Sequence, residues 1–110
     1  MKVHWTDTAI EHLSAIHDYI AQSSNQYAKR VVDRLTKRSQ QIAGFPLSGR
    51  IVPELNVEQI REVIEGHYRI IYYIKPDQID VLAVIHGVQR IPWGKKIFLI
   101  KKEVKDRIVR

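Results

Sequence analysis

Four side chains in the second half of the sequence, Arg61, Arg69, His86 and Arg90, are of types that bind phosphate or move protons. Arg69 most demands an account. It sits between Tyr68 and Ile70 in the run YRIIYYI, which is rich enough in β-branched and aromatic residues to bury both faces of a strand. Folding alone gives no reason for a guanidinium there. Either it lies on an open face and binds an anion such as phosphate, or it pairs with an acid of a neighbouring strand, Glu62 or Glu65. We assign its face to the open side of the sheet, with Arg61 and Arg90 as candidates for the same surface. His86 closes the next apolar run. Its imidazole could act as a general base near neutral pH, or bond to backbone at a strand end. Glu54 is a weaker candidate base. His4, His12, His17 and His67 lack ligand spacing, so neither a metal nor a cofactor is expected. Tyr72 and Tyr73 are expected to pack in the sheet with exposed hydroxyls, and Trp5 to lie in the core.

These residues need strands to position them. Residues 68–74 and 79–85 flank Lys75-Pro76-Asp77-Gln78, where Pro76 presets φ and Asp77 can bond its own backbone, giving a hairpin. Residues 58–65 form a preceding strand that turns at Gly66-His67. Residues 49–55 form a short one, confined by Pro53 to an edge or bulge. Upstream, residues 2–5 read as a strand. Apolar residues at 9, 10, 13, 16 and 20 repeat with helical period, with Thr6 or Asp7 as cap and Thr8 with Glu11 fitting a capping box. Ser23-Ser24-Asn25 separates this helix from a second over residues 26–42, ended by Gly44 and Pro46. The order β-α-α-β-β-β-β predicts an α+β fold, an antiparallel sheet with an N-terminal helical hairpin on one face and the other face partly open.

At 110 residues the chain is one domain with a modest core. It has no cysteine, which excludes disulfides and thiolate chemistry. No run of about 18 apolar residues spans a membrane, and the N-terminus lacks the apolar core of a signal peptide. A cytoplasmic location is expected. The net charge of +6 is uneven. Residues 95–110 carry seven Lys or Arg against two acids, whereas residues 1–94 carry eleven against ten. We therefore divide the chain into a body, 1–94, and a basic extension, 95–110. Over residues 91–110 Trp93, Ile97, Ile100, Val104 and Ile108 follow helical spacing, although KIFLI could equally be a strand. The extension is expected to be dispensable for the fold of the body.

An ordered set of motifs gives the body a resemblance. Trp5 and its helix, Pro46-x-x-Gly49-Arg50, Pro53-Glu54, Ile60-Arg61-Glu62, Tyr68-Arg69-Ile70-Ile71-Tyr72, Val81-Leu82-x-Val84, His86-Gly87 and Arg90 follow the sequence of the RelE/ParE superfamily of toxins. The set is closer to the ParE or plasmid-stabilisation branch. The resemblance implies a type II toxin neutralised by a cognate antitoxin that wraps it and adds a strand to the sheet edge. It implies inhibition of an essential target such as DNA gyrase through protein contacts, with Arg50, Arg61, Arg69, Tyr73 and Arg90 as contact residues. The alternative it implies is a RelE-like endonuclease acting on mRNA at the ribosome, with Arg61, Arg69, His86 and Arg90 as catalytic candidates. There 2′-OH attack needs proton transfer at two oxygens and cations on the developing charge. The lysine-rich segment of that branch is absent, since no base lies between Arg50 and Arg61. The reading therefore leans away from an enzyme. A degenerate, non-toxic binding module is a further alternative.

Overall fold

The computed structural model describes residues 1–89. Arg90 and the 95–110 extension, with its apolar stripe, lie outside the described residues. Strand β1 (Lys2–Trp5) leads into helices α1 (Asp7–Ala21) and α2 (Asn25–Ile42). A single 3₁₀ turn (Pro46–Ser48) and strands β2 (Arg50–Ile51), β3 (Ile60–Glu65), β4 (Tyr68–Ile74) and β5 (Gln78–His86) follow. The sheet order is β1-β5-β4-β3-β2. The β4–β5 hairpin occupies the interior of the sheet, as its two-faced apolar character requires. The expected antiparallel sheet is mixed at one edge, because β1 runs parallel to β5 and pairs Lys2 with Gln78. A helical hairpin separates β1 from the rest of the sheet and frees it to return in that direction.

Local chemistry sets the boundaries. The Thr6 hydroxyl accepts from the Ala9 N–H at 3.2 Å and donates to the Val81 carbonyl at 2.8 Å, capping α1 and pinning it to β5. The Thr8–Glu11 box is not the cap, since the helix already begins at Asp7. Ser24 caps α2 through the Tyr27 N–H. Ala28, Val31, Leu35, Ser39 and Ile42 form one buried stripe of α2. Most of it packs with Ala9 against Val63, Ile70, Tyr72, Val81 and Val84 on the sheet. Trp5 packs against this core and donates its indole N–H to Ser39 at 3.2 Å.

The opposite face is not open. Val52, Leu55, Val57, Ile71, Tyr73, Leu82, Ala83 and Ile85 form a second buried cluster there. The segment between β2 and β3, which we expected to be partly strand, is instead a coil carrying apolar side chains of this cluster. Asn56 takes a positive φ of 51° within it. A bulge adds to this cluster: Ile71 pairs with Ala83 but Tyr72 with Val81, so Leu82 is an extra residue and joins Ala83 on the same face. Tyr73 packs in this cluster as expected, but at 4% exposure it is buried, where an exposed hydroxyl was expected.

Candidate functional site

The second face carries a four-membered chain of alternating charges at one end. Glu62 of β3 is wholly buried and accepts from two arginines, Arg50 Nε at 2.8 Å and Arg69 Nε in a short contact. The other end of the Arg69 guanidinium meets Glu54 in two parallel hydrogen bonds, Nη1 to Oε2 at 2.8 Å and Nη2 to Oε1 at 2.9 Å. Such fork-to-fork pairing is the strong geometry for arginine and carboxylate. The Glu54 and Glu62 carboxylates hold the Arg69 cation and push its pKa up. The Arg69 guanidinium in turn lowers that of Glu54. The buried guanidinium thus has partners on every side, and of the two readings of Arg69 the structure shows the ion pair. Glu62 was anticipated. Glu54 was read only as a base, and the structure spends it on Arg69.

The motif Pro46-x-x-Gly49-Arg50 has a packing reason. The Tyr72 hydroxyl is buried rather than exposed, donating to the Pro46 carbonyl at 2.7 Å and accepting from the Gly49 N–H at 3.1 Å. A Cβ on Gly49 would meet that hydroxyl and lie 2.6 Å from the Glu62 carbonyl oxygen. Glycine is required there by the close approach of the β3 backbone at Glu62 and of the Tyr72 hydroxyl, and this holds Arg50 over Glu62.

The remaining candidates are dispersed. Arg61 pairs with Tyr72 across β3–β4 and so lies on the helix side of the sheet, away from Arg69. Its guanidinium donates to the carbonyls of Glu58 and Gly49, both at 3.0 Å. The shared surface expected for Arg61 and Arg69 does not form, because adjacent positions of one strand face opposite ways and Glu62, not Arg61, shares the Arg69 face. His86 pairs with Tyr68, also on the helix side. It is exposed, stacks on His67 at 6.1 Å and receives the edge of Tyr68 at 5.9 Å. Four β4 positions separate the Arg61 and His86 registers, about 13 Å along the strand, and two strand spacings add about 10 Å across. No single phosphate bridges such a pair.

His86 instead borders a mostly apolar cleft of about 280 Å³, lined also by His12, Ile16, Tyr19, Tyr68 and Val84. His12 accepts from the Val84 N–H at 3.4 Å, and burial lowers its pKa. Near the other edge of the protein Phe45 and Leu47 stand 74% and 67% exposed, and the Leu47 carbonyl accepts from Arg61 at 3.4 Å. Lone surface apolar residues are unremarkable, but a Phe, a Leu and an Arg together have the composition of a protein contact. Sequence reasoning missed this patch; the only signal was two apolar residues around a helix-ending proline. Among the described residues no three His, Asp or Glu side chains are grouped to hold a metal ion, and no helix is long and apolar enough to cross a membrane.

Comparison with known proteins agrees with this architecture. Residues 3–91 match the family model described as the ParE toxin of the type II toxin–antitoxin system parDE. The toxin RelE2 of Caulobacter vibrioides is 32% identical over 89 residues, covering 80% of this chain and 97% of its own. Y4kP of Sinorhizobium fredii is 31% identical over 93 residues, covering 83% and 93%. Among solved structures, a chain of the chromosomal ParDE system from P. aeruginosa shares the fold with a TM-score of 0.66, covering 78% of this chain and 95% of that one at 21% identity. The αα hairpin on a five-stranded sheet, with its glycine-seated tyrosine and paired arginine, belongs to the ParE toxin family of type II toxin–antitoxin systems.

Proposed function

We propose that the chain arrests growth in the manner of the ParE branch, by protein contacts with an essential target such as DNA gyrase, and that a cognate antitoxin neutralises it. The observation that carries this reading is the fate of the ribonuclease candidates. Arg69 is neutralised between two carboxylates, while Arg61 and His86 lie far apart on the opposite face. A cleaving site needs its cations and proton carriers around one phosphate. The Phe45, Leu47 and Arg61 patch supports a protein target instead. The outer edge of β1, which pairs on its other side with β5, offers four residues of backbone for strand addition by an antitoxin segment. The opposite edge, β2, has only two residues and suits this less well.

Expression of the chain without its neighbouring reading frames tests the reading, scored for DNA-damage response against translation arrest. Growth arrest with a DNA-damage response, relieved by the adjacent antitoxin, is expected. Cleavage of mRNA by the purified protein, with or without ribosomes, that is lost in the surface variant His86→Ala would overturn it in favour of the endonuclease. Unimpaired growth with soluble full-length protein would favour a non-toxic binding module.

A further inference from the structure

The near-neutral charge of the body conceals a segregation. Helix α1 carries Asp7, Glu11 and Asp18 and no Lys or Arg. Helix α2, packed beside it, carries Lys29, Arg30, Arg34, Lys37 and Arg38 against the single acid Asp33. Arg30, Arg34 and Arg38 recur at intervals of four, with Lys37 beside them, and so form one stripe along the helix. Lys29, Arg30, Arg34 and Lys37 are exposed and Arg38 is half-buried. None of the five makes an ion pair with a described carboxylate. Arg30 lies over the Tyr27 ring at 5.9 Å, and Arg38 reaches only the Gln41 amide at 3.5 Å. Beyond the helix end Arg61 continues the basic surface near Tyr72, whose phenol feels both Arg38 and Arg61.

We propose that the outer face of α2 is a binding surface for the phosphate backbone of double-stranded nucleic acid. From Arg30 to Arg38 the stripe spans about 12 Å of helix axis, about the rise of three to four base pairs. Arginine recognises phosphate with a planar fork, and three of the four stripe positions are arginine. The aliphatic core residues of α2 are turned inward, and the one large apolar side chain its outer face exposes, Tyr27, lies at one end of the stripe beneath Arg30, so the centre of the face offers no apolar anchor of the kind a protein interface centres on. Backbone recognition of nucleic acid needs none. The acidic α1 alongside would repel the same strand and so orient the chain on it. The surface adjoins the exposed Phe45–Leu47 patch at Arg61, and the inference does not depend on which target the toxin inhibits.

The test is fluorescence anisotropy of the full-length chain with a 20-base-pair duplex, as DNA in one arm and RNA in the other, across a salt series. Arg30→Gln/Arg34→Gln/Arg38→Gln should lower the slope of log affinity against log salt by about 2.7 for DNA, at about 0.9 per phosphate. That amounts to roughly forty-fold less affinity lost over a fourfold rise in salt. Glutamine keeps the helix propensity of arginine, and circular dichroism confirms the fold. A control, Lys101→Gln/Lys102→Gln/Lys105→Gln, removes the same charge from the extension. An unchanged slope in the helix variant, or a control that accounts for the whole salt dependence, would overturn the proposal. So would a polyglutamate peptide that binds as tightly as the duplex and loses the same affinity in the helix variant, which would assign the face to an acidic protein. Preference between the two duplex arms identifies the source of the backbone.

Discussion

Replacing Arg69 with methionine should unfold this protein at far lower temperature than replacing its more visible partner. The Glu62 side chain is 0% exposed and the Arg69 side chain 7%. After Arg69→Met, Glu62 keeps only its bond from Arg50, whose own side chain is 63% exposed. Breaking a buried pair by removing one member costs about 3–5 kcal/mol, because the charge left behind is uncompensated. That is a large share of the roughly 5–15 kcal/mol by which domains are stable, and a shift of at least about 12 °C in Tm at about 4 °C per kcal/mol. Glu54→Gln removes an acid that is 46% exposed, where solvent screens the pair, and should cost about 1 kcal/mol or less. The double variant Arg69→Met/Glu62→Leu removes both buried charges and should recover most of the loss. Thermal unfolding followed by circular dichroism at pH 7 measures all three. Equal small losses in Arg69→Met and Glu54→Gln, or a double variant less stable than Arg69→Met alone, would show that Glu62 is not the buried charge that dictates the network.

Gly49→Ala should destabilise by about 1–3 kcal/mol through overpacking against Tyr72 and the Glu62 carbonyl, read from the urea midpoint, with Tyr72→Phe losing a similar amount by leaving the Gly49 N–H unsatisfied. Because burial lowers the His12 pKa, the unfolded chain binds the proton more readily; stability should be level above the ordinary value of 6.5 and fall as pH drops below it, and His12→Gln should flatten that slope in denaturant titrations between pH 7 and 5. Glu54, whose pKa is lowered by Arg69, works in the acid range: the stability lost in Glu54→Gln should be seen at neutral pH and vanish as pH falls through the carboxylate range, where wild type loses the same pair. The family match ends at residue 91, so a truncation after Gly94 should unfold cooperatively near the full-length midpoint and bind anionic partners with less salt dependence; an insoluble product would place the extension in the core.

The parts of the fold governed by local chemistry were legible. Both helices, the β4–β5 turn and the interior position of that hairpin follow from period, caps and two-faced apolar runs. The position of Arg61, expected on the Arg69 surface, follows instead from the register. The two-residue turn at Gly66-His67 pairs Glu65 with Tyr68, so Arg61 must meet Tyr72 on the helix side and Glu62 must share the Arg69 face. What could not be read is non-local. Nothing in VPELNV announces that Val52, Leu55 and Val57 cover a sheet face and bring Glu54 to Arg69, since these contacts link a coil to strands it does not adjoin. The bulge at Leu82 breaks strand alternation in a run apolar on both faces, where alternation leaves no trace.

The parallel seating of β1 against β5 governs when this toxin becomes itself. Lys2 leaves the ribosome about four to fifteen seconds before its partner Gln78 at ordinary rates of bacterial elongation. Through that interval the first strand has no edge to join, and the Thr6 cap lacks the Val81 carbonyl that anchors α1. Closure of the sheet therefore waits for nearly the whole body to emerge, and pairings this distant in sequence form slowly even then. Until then a nascent molecule lacks the closed sheet. Antitoxin already present nearby can meet the fold as it closes, rather than having to pursue a finished toxin to its target.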